Sequence, residues 1–409
     1  MRKSILSIIL LAFGYASISQ ISTQDDVNGR VGDRIIQVSV PFLTIAPDAR
    51  AAGMADVGVA TTPDVNSAYW NAAKLVFATD EDGQLSDMGG GLSYTPWLRR
   101  LVNDMSLSHV SFFKRLRKEE VVGFSMTYFN LGSIEFRDGP GESGITGEGR
   151  PREFNFKVDY ARQLTNNFSV SAGMKWIHSN LASGQELSNG SVARAGNSIA
   201  VDIGTYWNND VTIAGQQLDL AWGVSISNFG NKITYSTRDE AYFIPTNLKL
   251  GTSITKDIDL YNKITLAIDV NKLMVPTPAE YDDDGNVIAG SEASDKGLIS
   301  GVLGSFADAP GGFSEEMQEF MIGTSVEYWY ANAFAARAGY FHESATKGNR
   351  KFVTLGAGVR WKTYGIDFAY LLPVRSSTST SDPLADTIRL SLKANFKSKK
   401  KDKPAETAE

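Results

Sequence analysis

Past its first residues this chain holds no apolar run long enough to cross a bilayer as a helix, which takes ~20 residues. From about Asp87 onward, however, it alternates greasy with small or polar side chains at a period of two. That period places successive side chains on opposite faces of a strand. The last such segment is the cleanest: Ile388, Leu390, Leu392, Ala394 and Phe396 share one face, and Thr387, Arg389, Ser391, Lys393 and Asn395 share the other. Val353, Leu355, Ala357, Val359 and Trp361 likewise oppose Thr354, Gly356, Gly358 and Arg360. A soluble sandwich turns its bulky face inward and a charge-rich face outward. Here the second face is mostly Gly, Ser, Ala and Thr with scattered Lys, Arg and Asp, which suits a polar lumen behind a lipid-facing wall.

The expected fold class is therefore all-β, a transmembrane antiparallel barrel. About fourteen segments can be counted, near 87–97, 104–114, 120–130, 152–163, 167–179, 197–208, 216–228, 246–256, 260–271, 317–328, 333–343, 351–361, 364–371 and 386–396. An even count is what a single-chain bacterial barrel requires. The links sort as well. Short ones at 115–119, 164–166, 257–259, 329–332 and 362–363, with a longer one at 209–215, alternate with long ones at 131–151, 180–196, 229–245, 272–316 and 372–385. Barrels pair short periplasmic turns with long outer loops, so the first strand is expected to start in the periplasm. Tyr128, Trp176, Trp207, Tyr328, Trp329 and Trp361, near segment ends, are the expected interfacial girdle.

Four regions follow: a signal peptide at 1–20, an N-terminal extension and plug-like segment at 21–86, the barrel at 87–396, and a basic periplasmic tail at 397–409. Arg2 and Lys3 before the apolar stretch Ile5–Phe13 and the small residues Gly14, Ala16 and Ser17 give the leader layout, with cleavage expected between Ala16 and Ile21. The location implied is the bacterial outer membrane, with the lipid bilayer as the first partner. The chain has no Cys, which excludes disulfides and thiolate chemistry. A net charge of -6 argues against nucleic acid as a partner.

Residues 42–75 are rich in Ala and Gly and lack alternation, so they are expected to pack as short helices and tight turns in a confined space, on the periplasmic side or inside the barrel, filling its periplasmic mouth. The stretch ending in Asn71-Ala72-Ala73-Lys74-Leu75 resembles the N-terminal plug of the FadL family, with its usual Pro and Gly replaced. A closer resemblance rests on Ile45-Ala46-Pro47-Asp48-Ala49-Arg50-Ala51-Ala52-Gly53, Asn66-Ser67-Ala68-Tyr69-Trp70-Asn71 and Tyr94-Thr95-Pro96-Trp97-Leu98. In these the chain is similar to the PorV (LptO) family, FadL-like outer-membrane components of the type IX secretion system. The resemblance implies a protein that receives cargo bearing a C-terminal secretion domain from the translocon and passes it to a sortase-containing attachment complex. It marks Pro47, Asp48, Arg50, Asn66, Trp70 and Asn71 as the lumen motif. The alternative is a FadL-like channel for hydrophobic small molecules, which a kinked wall strand and an apolar pocket beside the plug would favour.

No catalytic cluster is evident, and neither a cofactor nor a metal is expected. His109, His178 and His342 fall on three strands without ligand spacing. Gly139-Pro140-Gly141-Glu142-Ser143-Gly144 has the letters of a dinucleotide fingerprint but lacks its strand–turn–helix setting. Asp282-Asp283-Asp284-Gly285-Asn286 resembles a calcium loop without its terminal Glu. The acidic link 272–316 carries apolar Ile299, Leu303, Phe306 and Phe313; with Tyr242 and Phe243 of the preceding link these are the candidate partner- and cargo-binding residues, since long loops on rigid scaffolds carry function.

Overall fold

The structure is a computed structural model that describes residues 34–80, 83–98, 104–137, 145–185, 192–236, 241–281, 286–374 and 387–396. The expected signal peptide, the basic tail, the Gly139–Gly144 motif and residues 282–285 of the calcium-like motif lie outside the described residues.

Fourteen antiparallel strands close into one barrel. In chain order they are β1 Met88–Pro96, β2 Ser106–Arg117, β3 Glu120–Asn130, β4 Arg152–Gln163, β5 Phe168–Asn180, β6 Gly196–Ile213, β7 Gln216–Gly230, β8 Asn247–Asp257, β9 Asn262–Leu273, β10 Phe320–Tyr330, β11 Phe334–His342, β12 Lys351–Trp361, β13 Tyr364–Pro373 and β14 Thr387–Phe396. Each pairs with its chain neighbour, and β1 closes on β14 with Met88 opposite Phe396 and Tyr94 opposite Leu390. Closure removes every free sheet edge, the condition for backbone in hydrocarbon, where unpaired N–H and C=O groups find no water.

The alternation maps onto the wall as the sequence implies. Ile388, Leu390 and Leu392 of β14 are exposed on the outside, while Thr387, Arg389, Ser391 and Lys393 are buried inside. One girdle expectation fails: Trp329 faces the lumen, 4% exposed, its ring under the guanidiniums of Arg337 and Arg360. Its neighbour Tyr328 takes the outer face, and a period of two allows only one of an adjacent pair to do so. A second correction concerns the link at 209–215. β6 continues to Ile213 and turns back through Ala214 and Gly215 alone, both at positive φ (51° and 76°), as the tightest hairpin turns require.

The short turns all lie at one end, which is the periplasmic end; the long connections lie at the other. The longest, 274–319, carries helices α3 Leu298–Gly304 and α4 Phe313–Gln318 and a small ribbon of Glu280–Tyr281 with Val287–Ala289. Two further helices precede the barrel, α1 Ala49–Ala52 and α2 Ser67–Trp70, followed by a 3-10 turn at Ala72–Phe77. Among the described residues no helix is long and apolar enough to cross a membrane.

Candidate functional site in the lumen and outer loops

Residues 49–75 touch every strand of the closed wall. Ala49 N donates to Ser391 Oγ (2.8 Å) of β14, Ala55 N to Thr354 Oγ1 (2.9 Å) of β12, and Gly58 and Val59 N to Asp269 Oδ2 (2.8 and 2.9 Å) of β9. Ser253 of β8, Ser169 of β5, Ser111 of β2 and Lys157 of β4 donate to Ala60 O, Ala73 O, Asn66 Oδ1 and Ala68 O. Asn71 Nδ2 reaches Thr205 O of β6 (2.9 Å), and Arg50 pairs with Glu327 of β10. Ala49 and Ala52 pack on Ala369 of β13. The remaining strands present glycine: Gly91 of β1 to Val65, Gly123 of β3 to Leu75, Gly223 of β7 to Val59 and Gly339 of β11 to Met54. A segment in contact with all the staves of a closed cylinder, on their inward faces, lies within it. The small inward face seen in the sequence is thus the room this segment occupies.

All six residues of the lumen motif are buried here. Asp48 caps α1, accepting from Ala51 N (3.0 Å), and its other oxygen accepts from Trp70 Nε1 (2.6 Å), tying α1 to α2. Pro47 precedes that cap. The Asn66 side chain accepts from Ser111 Oγ of β2, and the Asn71 side chain donates to the Thr205 carbonyl of β6. Arg50 belongs to a closed ring of six charges. Its guanidinium forks onto Glu327 (2.7 and 2.9 Å) and reaches Asp64 (3.1 Å); Glu327 also receives Arg337 (2.6 Å), which donates to Asp367 (2.8 Å). Lys393 pairs with Asp367 (2.6 Å) and returns to Asp64 at 3.7 Å. Three positive and three negative side chains cancel where burial weakens the screening of bulk solvent. Beside the ring lies a void of about 10 Å3, lined by residues including Asp48, Arg50, Thr61, Asp64, Trp70 and Lys74, the room of a single water rather than an apolar ligand.

The segment extends through the barrel beyond the periplasmic mouth it is expected to fill. Residues 78–80 and 83–87 sit at the periplasmic end, where Arg115 Nε donates to Ser86 O. Val40, Phe42 and Leu43 pack instead on Leu107, Phe129, Ile177 and Ala200, at the outer ends of β2, β3, β5 and β6. Further toward the N-terminus, residues 34–39 staple three outer loops. Ser39 N donates to Phe243 O (2.9 Å), Arg34 N to Thr346 O (3.1 Å), and the Arg34 guanidinium forks onto Glu315 (2.7 and 2.8 Å) and reaches Glu280 (3.2 Å). Glu315 also receives Lys347 Nζ (2.7 Å), and Lys272 pairs with Glu316 and Glu319. Burial alone would raise the Glu315 carboxyl, but its bonds to Arg34 and Lys347 hold it down at about 2.

Of the loop candidates, Phe313 (80% exposed), Leu303 (66%) and Ile299 (65%) stand outward on α3 and α4, with Phe306 and Tyr242 also exposed. Phe243 does not: it is buried with Met274, Val275 and Val302 and carries Lys232 Nζ 4.3 Å above its ring. It anchors the base of the loop. The three histidines are not brought together; His109 is buried against Thr127 and His178 bonds Asn197. Near the outer end of β7 the wall bulges where its register against β6 shifts between Val201 and Ile203, with Asn228 at φ 60°. Sequence reading missed Glu327, Arg337, Asp367 and Lys393, whose only signal was a charge at mid-strand on the small face.

A family model described as "Type IX secretion system protein PorV" matches residues 28–280, more than half of the chain. No curated protein matches it. Among solved structures it is similar to the Pseudomonas putida toluene transporter TodX, at 12% identity over 86% of this chain and 99% of that one with a TM-score of 0.48. It is also similar to a Pseudomonas aeruginosa FadL homologue, at 12% identity over 89% and 100% with a TM-score of 0.43.

Proposed function

Since this chain belongs to the PorV family of the type IX secretion system, an outer-membrane component of that machinery, we propose that its outer loops bind secreted cargo carrying a C-terminal secretion domain as it leaves the translocon and hand it to the cell-surface attachment and sortase complex. On this reading the barrel is an anchor, and the chemistry belongs to the partner. The observation that carries it is the pairing of a filled lumen with an outer loop that holds Ile299, Leu303 and Phe313 in the open on two braced helices. Exposed apolar clusters on a rigid frame mark protein-binding surfaces. The channel reading draws only on the wall bulge at Asn228; the single-water void beside the lumen motif weighs against it. Loss of the gene should leave proteins with C-terminal secretion domains retained and unprocessed while fatty-acid uptake is unchanged. The reverse result would transfer the case to the channel.

A further inference from the structure

The outer girdle has a gap on one side of the barrel. Reading across the paired strands β1 to β5 at one height, the outward residues are Tyr94, Ser108, Tyr128, Phe154 and His178. Four of the five are ring side chains, and Tyr128, Phe154 and His178 stack in series with centroids 6.5 and 4.8 Å apart. Ser108 interrupts the row. One step nearer the outer loops the row reads Pro96, Ser106, Asn130, Arg152 and Asn180, again with a serine on β2. Where Ser108 takes the place of a ring, with Ser106 above it, the wall is notched by a cavity of about 450 Å3, lined by Ser106, Ser108, Tyr128, Asn130, Arg150 and Arg152 among others.

The notch differs in chemistry above and below. Arg150 and Arg152 are exposed, and neither pairs with a carboxylate among the described residues. The one acidic group in the lining, Asp104, already spends an oxygen on Ser133 N and Oγ (2.8 and 3.1 Å). Toward mid-membrane the same outer face becomes apolar through Val110, Phe112 and Phe124, all exposed to the surroundings of the barrel. Two guanidiniums and three hydroxyls at interfacial height, above a greasy track, match a tetrahedral anion joined to hydrocarbon. Arginine forks suit phosphate oxygens, and the track matches chains lying against the wall.

We propose that this notch is a binding site for a phosphorylated amphiphile of the outer leaflet, with its phosphate held by Arg150 and Arg152 and its chains lying over Val110, Phe112 and Phe124. Native mass spectrometry of the purified full chain, released from detergent with added dioleoyl phosphatidic acid, should retain one lipid. Dioleoyl phosphatidylcholine, whose ammonium opposes the arginines, should be retained at least about tenfold less, as expected for loss of a charge-assisted pair. Arg150→Gln with Arg152→Gln should lower retention of phosphatidic acid by a similar factor. Arg162→Gln, an exposed outward arginine at the periplasmic end, should leave it unchanged. Ser108→Trp, which fills the gap, should abolish it while the barrel keeps its heat-modifiable migration on a gel. Equal retention of both lipids, an equal loss in R162Q, or full retention in the double variant overturns the site. Displacement by millimolar inorganic phosphate alone overturns the amphiphile and leaves an ion site. Absence of any lipid adduct overturns the proposal altogether.

Discussion

Arg50 shows what a charge inside this barrel depends on. It is 3% exposed and compensated by Glu327 and Asp64, which in turn lean on Arg337 and Lys393. Burying such charges is costly, and breaking a pair from one side costs more than the pair contributes, because the survivor stays buried. Arg50→Met should therefore destabilise the folded barrel by ~3–5 kcal/mol, read as a lower temperature for the loss of heat-modifiable migration. Arg50→Lys should recover only part of this, since an ammonium cannot fork onto both Glu327 oxygens. Gly339 makes a separate case by sterics alone. A Cβ there would stand 2.6 Å from the carbonyl carbon of Met54, main chain that has no rotamer to change. Gly339→Val should expel part of the lumen segment and open residues 49–78 to protease, where Gly90 of β1, whose added Cβ would meet nothing closer than 3.8 Å, tolerates the same change better in that assay. Half of this site was legible. The motif marked Asp48, Arg50, Asn66, Trp70 and Asn71, but Glu327 lies 277 residues from Arg50. Only closure of the sheet brings them together, and no local pattern encodes it.

The strands were the most legible elements because a two-residue period is local: each needs only its own ten residues to declare a lipid face. β3, β4 and β12 match the expected segments in full. The outer loops were the least legible. Their acidic residues carry no local sign of a partner, yet Glu315, Glu316 and Glu319 turn inward onto Arg34, Lys272 and Lys347, cations from three distant parts of the chain. This bracing is pH-dependent with a definite sign. The Glu315 carboxyl is depressed to about 2 from an ordinary value of 4.5, so its stabilising contribution is complete above pH 4.5 and is lost as pH falls toward 2. Cleavage within 296–319 by pepsin should rise over that interval, and Glu315→Gln should already be cleaved at pH 4.5. A flat profile in the parent protein would remove Glu315 from this role. On the outer side of the same helices, Ile299→Ser, Leu303→Ser and Phe313→Ser together replace side chains that are 65–80% exposed. Folding should hardly change, while surface delivery of cargo falls by about tenfold or more if two of them each contribute ~1 kcal/mol to a partner.

At the scale of the whole molecule the N-terminal segment links the two ends of the barrel. It is tied to the outer loops by Arg34 and Ser39, fills the lumen around the Arg50 ring, and reaches the periplasmic end near Ser86. A conduit through the lumen would require much of this to move. A docking platform requires none of it to move, so immobilising the segment separates the two readings. The chain contains no Cys, so any disulfide introduced is the sole one that can form. Ala52 of α1 and Ala369 of β13 share one buried cluster with Ala49, which makes them the pair at which to introduce a crosslink between the segment and the wall. Ala52→Cys with Ala369→Cys, oxidised in whole cells, should pin α1 to the wall. On the platform reading, secretion of C-terminal-domain cargo continues at the parental level in the oxidised cells and is unchanged when reductant is added. Secretion that stops on oxidation and returns on reduction would mean that the lumen segment must leave its place, and that the outer loops act only as its gate.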